Sequence, residues 1–166
     1  MSTKINWGII GTGAIAHMFA KALALLADAQ LVAVASRKKE TAEKFADEFN
    51  IPHRHVGCES LASDKDVDVV YIATPHPNHK DETIVCLNAG KAVLTEKPFA
   101  VNSRQVAEMI QCARKNNCFL MEAMWMYFMP AIRKIREIVA TGALGDICMV
   151  TANFCFDKAP DPDGRL

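Results

Sequence analysis

With 166 residues, 51% of them hydrophobic and 23% charged, the chain has the composition of one well-buried globular domain and is short for two. Nineteen Lys and Arg balance nineteen Asp and Glu, so no net positive field draws the chain to nucleic acid or to an acidic membrane surface, and neither partner is expected. The most apolar stretch, Ala14 to Ala35, is broken by His17, Lys21, Asp28 and Gln30, and the N-terminus runs into Ile5-Asn6-Trp7 with no signal-type apolar segment, so a cytoplasmic protein is expected.

Short β-branched apolar runs alternate with longer segments that carry apolar residues at helical spacing, the pattern of repeated βα units. Ile5–Ile10 reads as the first strand and residues 14–26 as a helix, because Ile15, Phe19, Leu23 and Leu26 recur every three or four positions. Gln30–Ala35 is a second strand. Ala42, Phe45, Ala46 and Phe49 stripe a second helix that Pro52 stops, and a short strand follows at His53–Val56. Val67–Ala73 is nearly unbroken apolar, as a central parallel strand covered on both faces would be. Two prolines in Thr74-Pro75-His76-Pro77-Asn78 exclude a helix there and predict a rigid loop at that strand's C-terminal end, where ligand crevices form.

A helix from His79 to Ala89 closed by Gly90, a strand at Ala92–Thr95 and a helix capped by Ser103 come next. Cys118–Met121 reads as the sixth strand, and Pro130 opens a helix that ends before Gly142. Asp146–Phe156 reads as a long strand with Val150, Ala152, Phe154 and Phe156 on one side, in need of a sheet that the sequence does not contain. The expected fold class is therefore α/β, a doubly wound parallel Rossmann sheet over residues 1–122. A connecting segment and helix follow over 123–145, and 146–166 begin a C-terminal α/β open-sheet domain that is otherwise missing.

Six cysteines fall in apolar segments and never as Cys-x-x-Cys, which predicts buried free thiols rather than a zinc ribbon or redox motif. His76 and His79 lack a carboxylate or thiolate at a spacing that would complete a metal site, and no metal is expected.

Gly11-Thr12-Gly13-Ala14-Ile15-Ala16 is G-x-G-x-x-A between a strand and a helix. Gly11 permits the tight turn, Gly13 lets backbone approach a pyrophosphate, Ala16 allows close helix packing, and the helix N-terminus offers N–H groups and positive dipole. An NAD site would end the second strand on an acid for the ribose hydroxyls; here the strand runs into Ser36-Arg37-Lys38-Lys39, which suits a 2′-phosphate and points to NADP over NAD. Lys38 and Lys39 also read as the solvated start of the next helix. Glu96-Lys97-Pro98 lies at the C-terminal end of the fifth strand, where the Lys97 ammonium can hydrogen-bond a substrate oxygen as its proton leaves. A surface lysine on an X-Pro turn is the bland alternative.

Gly-Ile-Ile-Gly-Thr-Gly-Ala-Ile-Ala, Ala-Ser-Arg, Ala-Thr-Pro-His-Pro-Asn-His, Ala-Gly-Lys-Ala-Val-Leu-Thr-Glu-Lys-Pro and Met-Glu-Ala-Met-Trp, in that order from residue 8 to residue 125, resemble the Gfo/Idh/MocA oxidoreductases. Within them the run looks most like the dimeric dihydrodiol dehydrogenases, which also oxidise D-xylose with NADP. The resemblance implies that Gly11, Thr12, Gly13, Ala14 and Ile15 hold the pyrophosphate and that Ser36 and Arg37 hold the adenosine phosphate. Thr74, Pro75, His76, Asn78 and His79 would line the nicotinamide half, followed by Glu96 and a catalytic Lys97 whose bond to Pro98 is often cis, with Trp125 flanking the substrate pocket.

Two departures stand out. Tyr127 takes the place of an arginine common in relatives, and the second-domain residues that complete acid–base catalysis would lie beyond Leu166. The resemblance implies an oxidoreductase acting on a small-molecule sugar or diol, a homodimer or higher oligomer at full length. The rival reading is an NADP-binding module without turnover that pairs with another chain through residues 146–156.

Overall fold

The computed structural model describes residues 4–153 and 155. Six strands, β1 (Ile5–Ile10), β2 (Ala29–Ser36), β3 (His53–Val56), β4 (Val69–Ile72), β5 (Ala92–Thr95) and β6 (Leu120–Glu122), form one sheet in the order β3-β2-β1-β4-β5-β6. Every pairing is parallel, and the order reverses at β1, which pairs with both β2 and β4. The helices of this unit are α1 (Ala14–Leu23), α2 (Lys39–Phe49), α3 (Cys58–Ala62), α4 (His79–Asn88) and α5 (Ser103–Asn116).

The period-two alternation of side chains along the strands divides the apolar residues between two faces. Ile9, Val34, Tyr71 and Ala73 pack on one side with Ala16 and Ala20 of α1 and Phe45 and Ala46 of α2. Ile10, Ala33, Ala35, Val70, Ile72 and Val93 pack on the other with Leu61 of α3, Cys86 and Leu87 of α4 and Ala113 of α5. Burying both faces explains the near-continuous apolar run of β4, since a strand covered twice has no wet side. Each wholly buried Ile, Leu or Phe contributes about 1.5–3 kcal/mol by leaving water.

Several element ends differ from the sequence reading, each for a local reason. Helix α2 stops before Pro52 because Asn50 adopts a left-handed conformation (φ 55°, ψ 43°) as its C-cap. The cap of α5 is Asn102, not Ser103: its backbone is extended and its side chain accepts from the Gln105 N–H at 3.0 Å. The 74–78 loop contains one 3-10 turn, His76–Asn78, which its prolines tolerate because a first turn needs no N–H from them. Helix α3 escaped the sequence reading because five residues are too few to display a period.

The chain divides into two compact units, up to Met124 and from Trp125. The second unit contains a 3-10 turn, Trp125–Phe128, and helix α6 (Pro130–Ala140), with the Arg136 guanidinium 5.1 Å over the Tyr127 ring. Within the expected strand over 146–156, the described residues 146–153 and 155 have no strand structure, and Val150 is 82% exposed. A strand is a property of a pair, and apolar alternation alone supplies no neighbouring backbone for a ladder. Phe154 and residues 156–166 lie outside the described residues.

Candidate functional site

Hydrogen bonds just past the ladders hold the C-terminal ends of β1, β2, β4 and β5 side by side. Gly11 N–H donates to Ala35 C=O at 2.9 Å, Ala73 N–H to Ile10 C=O at 2.8 Å and Glu96 N–H to Ile72 C=O at 3.0 Å. These bonds bring the glycine turn, the Ser36-Arg37 segment, the 74–78 loop and the Lys97 turn to one edge of the sheet, at its reversal.

At Gly11 the backbone has φ +104°, and a Cβ there would lie 2.7 Å from Ala73 C=O, so no side chain fits. At Gly13, the N-cap of α1, a Cβ would meet nothing within 4 Å, and the first turn of α1 carries no acid. Thr12 is half-buried, Ala14 and Ile15 are exposed, and Ala16 is fully buried against the sheet. This leaves an open, anion-tolerant helix N-terminus.

At the end of β2, Thr41 donates to Lys38 C=O at 2.9 Å, so the 2.6 Å bond between Thr41 and Ser36 is donated by Ser36. Arg37 is exposed beside this turn; Lys38 is the N-cap of α2, and Lys39 pairs with Glu43 at 3.7 Å, the solvated helix start that the sequence allowed for. A cleft of about 230 Å³ is lined by Thr12, His17, Thr41, Lys44, Phe45 and Glu48. His17 is held there by Gly13 C=O at 2.9 Å and Glu48 at 3.1 Å. Thr41, His17 and Lys44 belong to no local motif, and only the packing of α1 beside α2 identifies them.

In the 74–78 loop, the Thr74 hydroxyl donates to Glu82 at 2.5 Å. Burial pushes the Glu82 carboxyl above its ordinary range, with Thr74, His79 and Arg37 pulling back. Pro75 and His76 are exposed and Asn78 is half-buried. His79 is fully buried, with Nδ1 2.9 Å from Pro98 C=O and Nε2 2.9 Å from Thr74 C=O. Both ring nitrogens face backbone carbonyl oxygens, to one of which the ring N–H donates, so His79 braces the loop against the Lys97 turn rather than facing the crevice.

The turn itself is fastened from several directions. The Glu96 carboxylate, 8% exposed, accepts from the Tyr71 hydroxyl at 2.6 Å and from Lys97 N–H at 3.0 Å. Burial and that carboxylate hold the Tyr71 phenol above its usual range. Glu122 of β6 accepts from Phe99 N–H at 2.8 Å, and the Lys97–Pro98 peptide is cis. Lys97 is exposed, with no ion-pair partner among the described residues. The sequence assigns no role to Tyr71, nor to Glu122 beyond its place in the Met-Glu-Ala-Met-Trp motif, because their partners lie 25 and 23 residues away. Trp125 falls in the second unit and is 53% exposed.

A sheet of this order, with a glycine turn opening a helix at the reversal, defines a nucleotide-binding Rossmann domain, here with a braced lysine turn on the same edge. The chain belongs to the Gfo/Idh/MocA oxidoreductase family: residues 5–124 match its model, described as "Oxidoreductase family, NAD-binding Rossmann fold". Trans-1,2-dihydrobenzene-1,2-diol dehydrogenase of Mus musculus is 46% identical over 160 residues, covering 95% of this chain and 48% of the relative. The Homo sapiens enzyme of that name is 44% identical over 152 residues, covering 90% and 46%. The chain thus spans about half the length of the curated relatives it matches. Among solved structures, a 3-ketoreductase from Actinomadura kijaniata in complex with NADP and TDP-benzene is 30% identical with TM-score 0.79, covering 84% of this chain and 43% of that one. An NAD binding oxidoreductase from Klebsiella pneumoniae is 31% identical with TM-score 0.80, covering 86% and 40%.

Proposed function

We propose that this chain is the NADP-holding part of an oxidoreductase that moves hydride between C4 of a nicotinamide and a hydroxyl-bearing carbon of a trans-dihydrodiol or a sugar such as D-xylose. The observation that carries the reading is the lysine turn: an exposed ammonium on a turn clamped by Glu96, Glu122 and His79, on the same edge as the glycine loop. A surface lysine with no role needs no such clamp.

The residues fit a dinucleotide. Gly11, Thr12, Gly13, Ala14 and Ile15 surround the α1 N-terminus, where the missing Cβ at Gly13 leaves room for a pyrophosphate and no acid opposes its charge. Arg37 presents a guanidinium suited to the two-pronged hydrogen bonding of a 2′-phosphate, with Ser36 beside it. Thr74, Pro75, His76 and Asn78 form the wall on the nicotinamide side, with His79 behind them. The bound cofactor supplies the hydride chemistry. Lys97 donates a hydrogen bond to the substrate hydroxyl oxygen and stabilises the charge that grows there as the hydroxyl proton passes to water, while Glu96 fixes its backbone. A small-molecule sugar or diol substrate, a homodimer or higher oligomer and a cytoplasmic location belong to the same proposal; the last fits the six free thiols.

Titration of the chain with NADPH and NADH by nicotinamide fluorescence tests the cofactor assignment. Arg37→Ala weakens NADPH about 10- to 100-fold, the value of one charge-assisted contact, and leaves NADH nearly unchanged. Equal losses for both cofactors overturn the 2′-phosphate role. In the full-length protein, Lys97→Met lowers kcat about 10²- to 10⁴-fold with NADPH affinity intact, and unchanged turnover returns Lys97 to the surface.

A further inference from the structure

His53 and His55 occupy alternate positions of the outer strand β3, so both rings stand on the same face of the sheet. Their neighbours in register, Ala33 and Ala35, belong to the α3-side core, which places the rings on that side. Asp64, just past α3, brings its carboxylate to both: Oδ2 lies 2.6 Å from His53 Nδ1 and 2.9 Å from His55 Nε2. We propose that His53, His55 and Asp64 form a binding site for a divalent transition cation of the zinc type, which staples β3 to the turn before β4.

Two imidazoles and one carboxylate are a donor set that zinc accepts, with a water completing the tetrahedron. The three donor atoms lie within 4.8 Å of one another. Zinc bonds of about 2.0–2.2 Å in a tetrahedron separate donors by roughly 3.4 Å, so the carboxylate must draw back from each ring nitrogen by less than about 1 Å while the widest donor pair closes by up to about 1.4 Å as the cation replaces the ring protons.

His55 has the hydrogen-bond partner that a ligated histidine needs on its other nitrogen, and His53 has a carboxylate near its own. His55 Nδ1 lies 2.9 Å from the Ser60 hydroxyl, and His53 Nε2 lies 3.7 Å from the Asp66 carboxylate. The second Asp64 oxygen accepts from Asp66 N–H at 3.0 Å, which fixes the carboxylate plane. Its backbone is anchored as well, by the Lys91 ammonium donating to Asp64 C=O at 2.5 Å and to Val67 C=O at 2.7 Å. The Asp64 side chain is 8% exposed and that of His53 34%, so the inner ligand is shielded while an entry path for the ion stays open. In the sequence, motif spacing draws attention to His76 and His79 instead of His53 and His55. This pair sits two positions apart on a strand, with its carboxylate nine residues beyond the second histidine.

Titration with Zn²⁺ by calorimetry, repeated with Co²⁺ for its visible spectrum, tests the proposal on the intact chain freed of metal by chelator. One Zn²⁺ binds per chain, the thermal midpoint rises, and Co²⁺ gives tetrahedral nitrogen–oxygen bands without thiolate charge transfer. Asp64→Asn and His55→Gln abolish this binding while NADPH affinity stays at the wild-type value, and Ser60→Ala weakens it about 10-fold. Absence of binding to the wild-type chain, binding that survives in both ligand variants, or a thiolate spectrum overturns the site. If either ligand variant fails to fold, Ser60→Ala and the chelator-reversible midpoint shift of the wild type decide the question.

Discussion

Glu82 is pulled in opposite directions by its surroundings: burial raises its carboxyl above the ordinary value of 4.5, while the Thr74 hydroxyl, His79 and Arg37 favour the charged form. The folded state therefore binds the Glu82 proton more tightly than the unfolded chain does. The resulting stabilisation is complete below about pH 4.5 and is lost as pH rises through the higher folded value. Glu82→Gln keeps an acceptor for Thr74 and removes the titration, so the fall in urea midpoint between pH 4.5 and 7.5 becomes shallower than in the wild type. At this scale the sequence exposed residues whose meaning is local, such as Gly11, Arg37 and Lys97. It concealed those defined by distant partners: Tyr71 is an ordinary apolar-strand tyrosine until Glu96 is placed 2.6 Å from its hydroxyl. His79 is the instructive case, legible as important but not as a buried brace, because motif spacing carries no information on which way a ring points.

Among the elements, the turn from β1 into α1 carries the strictest steric demand. Gly11→Ala combines a φ of +104° with a Cβ 2.7 Å from Ala73 C=O, so β1 and β4 must separate at their C-terminal ends. A cost of about 1–3 kcal/mol for the backbone alone follows, with further loss from the displaced carbonyl. Denaturant midpoints of the variant fall accordingly, and NADPH affinity falls with them. Strand β1 was legible to the residue because burial, branching and a glycine stop coincide there. Residues 146–153 satisfied the alternation rule and still form no strand, since pairing is decided by what lies alongside and not by the segment's own pattern.

For the molecule as a whole, every residue of both core clusters precedes Met124. A chain ending at Met124 is expected to unfold in a single cooperative transition and to keep the NADPH affinity of the 166-residue chain, as paired fluorescence and circular dichroism melts would establish. Loss of either property would mean that the second unit contributes to the first. The βα alternation made the doubly wound class readable, because the two faces of one sheet require two sets of helices. The clamp around Lys97 was not readable, since it joins β4, α4, β5 and β6.

The all-parallel pairing also governs how such a chain comes together in time. No two neighbouring strands can be joined by a hairpin, so no part of the sheet zips up from a tight turn. β1 must pair on both flanks, once with β2 and once with β4, whose Val69 lies beside Trp7 although three connections separate the two strands along the chain. Closure of that long excursion is expected to limit the folding rate, and until it happens the first strand keeps one edge bare.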